Sequence, residues 1–132
     1  EELRSWFLDK MVNICRSIRD QKEEQSNSAV KKAMLYIQEN FSKDISLDEV
    51  SGQVNISPYY FSKIFKEETG ENFIEYLTRI RIEKAKEFLK QPEVSVKEAG
   101  VKSGYTDPNY FSRIFKKQTD MTPSEFKTRY GK

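Results

Sequence analysis

The sequence of 132 residues contains no histidine, a single cysteine and no long apolar run. Without histidine it lacks the commonest general base and the commonest metal ligand, which excludes the usual zinc sites and nucleophile–histidine pairs. Because Cys15 has no partner in the chain, no intramolecular disulfide can form. The short apolar runs predict neither a membrane span nor a secretory signal. We therefore expect a cytoplasmic location, no contact of this segment with a membrane, and no catalytic site, metal or cofactor.

Charge and composition favour a folded helical chain with an anionic partner. Hydrophobic residues make up 36% of the chain and charged residues 33%, so its helices must each have an apolar and a polar face. The net charge is only +2, but residues 96–132 carry eight basic and four acidic side chains. That local excess is a mild indication of a polyanionic partner. Because the chain starts with Glu1 and not with methionine, we expect it to be a segment of a longer protein.

One stretch of twelve residues occurs twice, at an offset of 50 residues. The first copy is PYYFSKIFKEET from Pro58, and the second is PNYFSRIFKKQT from Pro108. Eight of the twelve aligned positions are identical. A repeat of this period predicts two similar subdomains in tandem.

Each copy divides into two faces when it is placed on a helix. The apolar face of the first copy is expected to pack inward; it holds Tyr60, Phe61, Ile64 and Phe65. The polar positions are expected to point outward; they are Tyr59, Ser62, Lys63 and Lys66 in the first copy and Asn109, Ser112, Arg113, Lys116 and the adjacent Lys117 in the second.

A capping box precedes each copy of the repeat. Ser46 to Glu49 and Ser95 to Glu98 both place a hydroxyl three residues before a glutamate. The boxes are 49 residues apart, so the turn before Pro108 is expected to hold one more residue than the turn before its counterpart. Each unit is therefore predicted to be a helix-turn-helix, over about residues 46–70 and about residues 95–119.

A long helix is predicted between the two units, over about residues 72–91. Asn72 is expected to cap its start, and Pro92 to stop it. A helix of about 19 residues would be roughly 28 Å long. Its apolar residues lie on more than one side, so we expect it to join two small cores and to fix their spacing.

The N-terminal segment predicts an amphipathic helix over residues 3–25. Three interpretations remain open for its apolar stripe: packing on the rest of the chain, a connector from an upstream domain, or a dimer seam through residues 3–18. We expect residues 1–28 to be a connector helix and linker, and residues 29–130 to be the main domain.

Two helix-turn-helix units on one stiff helix favour binding to duplex DNA. In that motif the second helix lies in the major groove, and two such helices can enter successive grooves about one DNA turn (~34 Å) apart. The chain resembles the DNA-binding domain of the AraC/XylS family of bacterial transcription regulators, in the branch fused to two-component receivers. The segments that carry this resemblance are SLDEVSGQVNISPYYFSKIFKEETG (46–70), FIEYLTRIRIEKAKEFL (73–89) and VKSGYTDPNYFSRIFKKQTDMTPSEF (101–126).

The resemblance implies roles for the outward residues. It implies base contacts by Tyr59, Ser62 and Lys63 and by Asn109, Ser112 and Arg113, whereas Lys66, Lys116 and Lys117 are expected to contact phosphates. The expected partners are double-stranded promoter DNA, RNA polymerase and an upstream receiver or other regulatory domain of the same chain, and activation is favoured over repression.

Two features depart from the family pattern. Asp120 stands where a glycine is usual after the second copy of the repeat, and Ala99 and Gly100 are an unusual pair inside the short helix of the second unit. A glycine there costs about 1 kcal/mol relative to alanine. We therefore expect a less stable second subdomain. A helical protein-interaction module that binds through the N-terminal helix remains the alternative function, and no residue pattern supports an enzyme.

Overall fold

A computed structural model describes residues 28–131, which form seven helices and no strand. No helix in that range is both long and apolar enough to cross a membrane. The predicted N-terminal helix and its dimer seam lie outside the described residues. The all-α prediction of two helix-turn-helix units on one linker helix is confirmed. In chain order the helices are α1 (28–40), α2 (Leu47–Gln53), α3 (Pro58–Thr69), α4 (Phe73–Leu89), α5 (Val96–Lys102), α6 (Pro108–Thr119) and α7 (Pro123–Tyr130).

The first unit packs α1, α2 and α3 against the N-terminal half of α4. On α1 the buried residues Val30, Ala33 and Ile37 recur at spacings of three and four, as expected for one face of a helix. The core of this unit contains Val30, Ala33, Ile37, Ile45, Val50, Phe61, Ile64, Phe65, Phe73, Tyr76, Leu77 and Ile80.

The second unit packs α5, α6 and α7 against the C-terminal half of α4. Ile82, Ala85 and Leu89 on α4 have the same spacing of three and four as the buried residues of α1. The second half of α4 therefore has the place in the second core that α1 has in the first. The core contains Ile82, Ala85, Leu89, Val94, Ala99, Tyr105, Phe111, Phe115 and Phe126.

The linker helix α4 has 17 residues, slightly fewer than predicted, and is about 26 Å long. Its start is capped as expected, since the side chain of Asn72 accepts a hydrogen bond from the Glu75 amide at 2.8 Å. At its end, the Lys127 ammonium donates to the carbonyls of Leu89 at 3.3 Å and Gln91 at 3.0 Å. A cation at a helix C-terminus satisfies carbonyls that have no partner within the helix.

Arg81 lies on α4 between the last residue of the first core, Ile80, and the first residue of the second, Ile82. Its Nε donates to the Phe41 carbonyl at 2.7 Å, and its Nη2 donates to the Lys43 carbonyl at 2.9 Å. Its guanidinium carbon also lies 5.3 Å from the centre of the Tyr105 ring. This junction was not predicted from the sequence.

The turn of each unit contains one residue with positive φ. These residues are Asn55, with φ of 59°, and Gly104, with φ of 104°. The first turn spans residues 54–57 and the second spans residues 103–107, so the predicted extra residue is present. A Cβ at Gly104 would also lie 2.9 Å from the Phe41 carbonyl oxygen. Glycine is required there by both conformation and space.

Both capping boxes form the predicted bond from the helix amide. The Ser46 hydroxyl accepts from the Glu49 amide at 3.1 Å, and the Ser95 hydroxyl accepts from the Glu98 amide at 3.1 Å. These bonds satisfy amide groups that the first turn of α2 or α5 leaves without a helical partner. Each short helix therefore starts at the residue that its sequence indicates.

Gly100 gives α5 its close approach to α6. A Cβ at this position would lie 2.8 Å from Cδ2 of Phe111, and Phe111 is only 1% exposed. The sequence alone indicates only the cost of this glycine in helix propensity. The structure shows the benefit as well, because the ring of Phe111 packs directly on the backbone of α5.

Candidate nucleic-acid interface

The two recognition helices, α3 and α6, start at equivalent prolines with a side-chain cap before each. The Ser57 hydroxyl accepts from the Tyr60 amide at 3.2 Å, and the Asp107 carboxylate accepts from the Asn109 amide at 3.0 Å. Proline suits the first helical position because its φ is already helical and it lacks the amide proton that would have no partner. The first turn of each recognition helix is consequently fixed and exposed.

Aromatic rings hold the inner faces of both recognition helices in the same way. In the first unit the ring of Phe65 lies 5.3 Å from that of Phe61 and 5.3 Å edge-on from that of Tyr76. In the second unit Phe115 lies 5.8 Å from Phe111 and 5.5 Å edge-on from Phe126. Edge-on aromatic pairs add roughly 0.5–1.5 kcal/mol beyond their buried area. The repeated apolar residues thus give both helices the same set of ring contacts, although the planes of the two phenylalanines meet at 32° in the first unit and 64° in the second.

The outward residues of α3 lie where the sequence predicts. Tyr59 is 84% exposed, the most exposed large hydrophobic side chain among the described residues. Ser62, Lys63 and Lys66 are also exposed, while Phe61 and Phe65 beneath them are completely buried. The helix therefore presents one aromatic ring, one hydroxyl and two cations along a single polar face.

The outward residues of α6 follow the same pattern with one difference. Asn109, Arg113, Lys116 and Lys117 are exposed. Ser112 is only partly exposed, whereas its counterpart Ser62 in α3 is exposed. Ser112 lines a small cavity between α5 and α6 together with Gly100 and Val101. Ser112 is therefore less accessible than Asn109 and Arg113 on the same helix face.

None of the five cations on the recognition helices forms an ion pair with another residue of the described range. The ion pairs within residues 28–131 all involve α4, as in the bonds of Arg79 to Glu71 at 2.9 Å and to Glu83 at 3.2 Å. Free cations on an exposed polar face are available to phosphate oxygens and base edges. The cations concerned are Lys63, Lys66, Arg113, Lys116 and Lys117.

The two recognition helices differ in charge. In α3 the two lysines are followed by Glu67 and Glu68, which balance them. In α6 three cations have no acidic residue within the helix, and Lys117 and Gln118 take the places of the two glutamates. The second helix is therefore the stronger electrostatic partner for a polyanion.

The inward assignment of Tyr60 is only partly right. This tyrosine is 45% exposed and its counterpart Tyr110 is 48% exposed, whereas Phe61 is fully buried. Both tyrosines lie at the border between the two helix faces, where a ring contacts the core on one side and solvent on the other. The ring of Tyr110 lies 5.8 Å from that of Tyr105.

The C-terminal ends of the recognition helices have the same backbone shape but different residues. Gly70, with φ of 79°, and Asp120, with φ of 64°, are both left-handed caps. The threonine before each cap is identical: the Thr69 hydroxyl donates to the Phe65 carbonyl at 2.8 Å, and the Thr119 hydroxyl donates to the Phe115 carbonyl at 2.8 Å. Asp120 thus adopts the left-handed conformation that a glycine adopts without cost. Because aspartate has a Cβ, its backbone is strained there.

Two side chains close to Arg81, those of Arg79 and Tyr105, have shifted pKa values. Burial raises the pKa of Tyr105, although the positive charge of Arg81 opposes this effect. Burial lowers the pKa of Arg79, but its bonds to Glu71 and Glu83 outweigh that effect and raise the pKa overall. Tyr105 is therefore neutral, and Arg79 charged, over the physiological pH range.

The chain matches a family profile described as a helix-turn-helix domain over residues 50–129. It is 47% identical over 78 residues to the transcriptional regulatory protein YesN of Bacillus subtilis, a match that covers 58% of this chain and 21% of YesN. It spans 33%, 68% and 44% of three other curated relatives.

Two solved structures show the same fold. The C-terminal domain of AraT, a response regulator from Geobacillus stearothermophilus, is 38% identical with a TM-score of 0.76, and the match covers 79% of this chain and 87% of that one. The DNA-binding domain of the transcriptional factor AdpA, solved in complex with a target DNA, has a TM-score of 0.73 at 19% identity, and the match covers 76% of this chain and 91% of that one. At that identity the second likeness shows the fold alone.

Proposed function

Because the chain belongs to the AraC-type family of helix-turn-helix transcription regulators, we propose that it reads one bipartite DNA site by placing α3 and α6 in two successive major grooves. DNA binding and regulation of transcription are the functions of this domain type, and the relatives are regulators, not enzymes. The observation that carries the proposed mode is the matched pair of recognition helices, each with cations outward that have no ion-pair partner among residues 28–131 and the same aromatic packing inward.

The second recognition helix supplies the stronger base readout. Arg113 donates to O6 and N7 of guanine, and Asn109 pairs with N6 and N7 of adenine; each such bidentate contact contributes about 1–3 kcal/mol of discrimination. Arg113 is exposed and has no ion-pair partner in the described part of the chain, which supports this role. Ser112 is only partly exposed and is the least accessible of the three proposed base contacts of this helix.

The first recognition helix reads a different sequence. Tyr59 presents a ring to thymine methyl groups and base edges, while Ser62 and Lys63 donate to acceptors in the groove. Lys66, Lys116 and Lys117 lie further along the helices and hold phosphates. The glutamates at the end of α3 repel the DNA backbone there, so α6 contributes more of the salt-dependent affinity.

The remaining roles concern the protein to which this segment belongs. Residues 29–130 form the DNA-binding domain, and residues 1–28 connect it to an upstream receiver or other regulatory domain. The protein acts in the cytoplasm at promoter DNA, contacts RNA polymerase and activates transcription. A homodimer forms through residues 3–18. The likeness to C-terminal domains of response regulators supports the assignment of an upstream receiver domain.

Binding to selected and random DNA tests the proposal. Duplexes are enriched from a random pool with the 132-residue chain, and dissociation constants are measured for the enriched and scrambled duplexes over a range of salt. We expect the enriched duplex to bind at least about a thousandfold more tightly, with affinity falling steeply as salt rises. Equal affinity for both duplexes at physiological salt would refute the proposal.

Three alanine variants separate base readout from charge. Arg113→Ala is expected to relax the preference at one base pair, whereas Lys116→Ala weakens all duplexes about evenly and lowers the salt slope by about one. Arg129→Ala removes one cation from α7, outside both recognition helices, and is the matched control. If Arg129→Ala changed base preference as much as Arg113→Ala, the assignment of Arg113 would be wrong.

A further inference from the structure

We propose that Arg81 is a positioning residue that fixes the two recognition helices relative to each other and thereby selects the spacing between the two halves of the DNA site. This inference rests on the proposed function for its consequence on DNA, but the orientation itself is a property of the free protein. Arg81 is not assigned a DNA contact.

The first set of contacts joins Arg81 to the end of α1. Its Nε and Nη2 donate to the carbonyls of Phe41 and Lys43 at 2.7 and 2.9 Å. Phe41 directly follows the last residue of α1, where the helix dipole favours a positive charge, and Lys43 lies two residues further on, with a carbonyl that also accepts from the Ile45 amide at 2.9 Å. One guanidinium thus ties the linker helix to the first unit at two points, and its planar shape keeps both bonds in one orientation.

The second set of contacts joins the same side chain to the turn of the second unit. The guanidinium lies 5.3 Å from the ring centre of Tyr105, and a Cβ on Gly104 would lie only 2.8 Å from Nε. The same Cβ would lie 2.9 Å from the Phe41 carbonyl oxygen, so the turn also abuts the end of α1 directly. That turn leads into α6 at Pro108. Arg81 is therefore in contact with the end of α1 and with the segment that aims the second recognition helix.

A continuous α4 does not by itself fix the orientation of the two units. Each unit packs on its own half of the helix, and long helices bend. A side chain on α4 that contacts both units restricts how far the two units can rotate relative to each other. Once one unit is bound to DNA, a stiff connection holds the second unit near one position on the duplex. Its effective concentration is therefore raised at a second half-site with the matching spacing and lowered at half-sites with any other spacing.

Arg79 provides a matched control on the same helix. It is an arginine two residues earlier, it is partly exposed, and it pairs with Glu71 and Glu83. These partners, and the Tyr76 ring that its guanidinium also contacts, lie on α4 or just before it. Arg79→Ala and Arg81→Ala therefore remove the same charge and the same atoms from α4, and only the second variant removes the hydrogen bonds to the first unit and the contact with the Tyr105 ring.

The first experiment measures orientation without DNA. Spin labels are placed at Glu67→Cys and Gln118→Cys, on exposed positions of α3 and α6, in a Cys15→Ser background. We expect Arg81→Ala to broaden the distance distribution between the labels, and Arg79→Ala to leave it as in the parent. Arg81→Lys, which retains a cationic donor but not the planar guanidinium with its two bonds, should give an intermediate width and covers the case in which Arg81→Ala fails to fold.

The second experiment measures spacing on DNA. Starting from the enriched duplex, one base pair is inserted or removed between the two halves, which shifts one half by about 3.4 Å and turns it by roughly 35°. The parent chain and Arg79→Ala should discriminate strongly against both changes. We expect Arg81→Ala to reduce that discrimination by about tenfold, while affinity for each half alone stays unchanged.

The outcomes separate this inference from the proposed function. An unchanged distance distribution in Arg81→Ala and Arg81→Lys overturns the positioning role, whatever the DNA result. Equal losses of spacing discrimination in Arg79→Ala and Arg81→Ala also overturn it. If the parent chain itself ignores spacing, the two-groove mode of binding is wrong, and the label distances still decide whether Arg81 orients the helices.

Discussion

Replacing Gly100 with alanine has two opposing effects on the free energy of unfolding: it improves helix propensity and it disturbs packing. The structure indicates which effect is larger. Alanine in place of glycine inside a helix gains about 1 kcal/mol of stability. The added Cβ, however, would lie 2.8, 3.1 and 3.3 Å from three ring carbons of Phe111, against about 3.5–4.0 Å for an ordinary contact. The ring also packs against Tyr105 at 5.7 Å and Phe115 at 5.8 Å, so moving it away from the added Cβ would disturb these contacts.

Overpacking of this kind costs about 1–3 kcal/mol. Set against the propensity gain, Gly100→Ala should lower the free energy of unfolding by about 1 kcal/mol, and the melting temperature by roughly 4 °C. Gly52, in the corresponding short helix of the first unit, is exposed, and a Cβ there would meet no side chain or backbone from beyond its own helix and chain neighbours within 4 Å. Gly52→Ala is therefore the matched control and should raise stability by about 0.5–1 kcal/mol.

Urea unfolding followed by circular dichroism checks both variants. The two curves should shift in opposite directions with the same dependence on urea, since neither change alters the surface exposed on unfolding. If Gly100→Ala were stabilised as much as Gly52→Ala, the packing of Phe111 on the backbone of α5 would not be the reason for glycine at this position.

Two further predictions concern the second unit. Asp120→Gly should raise the free energy of unfolding by about 1 kcal/mol, because the left-handed cap at φ of 64° strains an aspartate but not a glycine. Gly70→Asp, at the equivalent cap of the first unit, should lower it by a similar amount. Thermal melts in which the two variants did not shift in opposite directions would contradict this. Because burial raises the pKa of Tyr105, the folded state holds the phenol proton more tightly than the unfolded state. That stabilisation is complete below about pH 10 and is lost as pH rises through the raised value. The free energy of unfolding of Tyr105→Phe should therefore fall less steeply with alkali, and identical alkaline profiles would show that this tyrosine does not contribute.

Local signals in the sequence predicted most of the fold. Ser46, Ser95 and Asn72 accept from the predicted amides because a capping bond depends only on residues three apart. The two capping boxes are 49 residues apart, whereas the two copies of the repeat are 50 residues apart. This difference predicted that the second turn is one residue longer than the first. Helix faces predicted the buried Phe61 and the exposed Tyr59, but they misplaced Tyr60, which lies at the border between faces and is partly exposed.

Contacts distant in the sequence were not predictable. Arg81 donates a hydrogen bond to a carbonyl about forty residues earlier in the sequence, and Lys127 donates to the end of a helix that finishes at Leu89. Because both partners are distant in the sequence, no local sequence pattern identifies either residue. The benefit of Gly100 depends on how closely Phe111 packs, which only the fold reveals. The base and phosphate contacts of α3 and α6 remain predictions, since exposure and free charge are necessary for them but not sufficient.

The most direct test of the two-groove mode is the base preference of two variants on one DNA site. Preferences are measured for the parent chain, Lys63→Ala and Arg113→Ala by selection from random duplexes at one salt concentration. We expect each variant to relax a different position, and the two positions to lie about one helical turn (~10 base pairs) apart. Relaxation of the same position by both variants, or of no position by either, would contradict the two-groove mode.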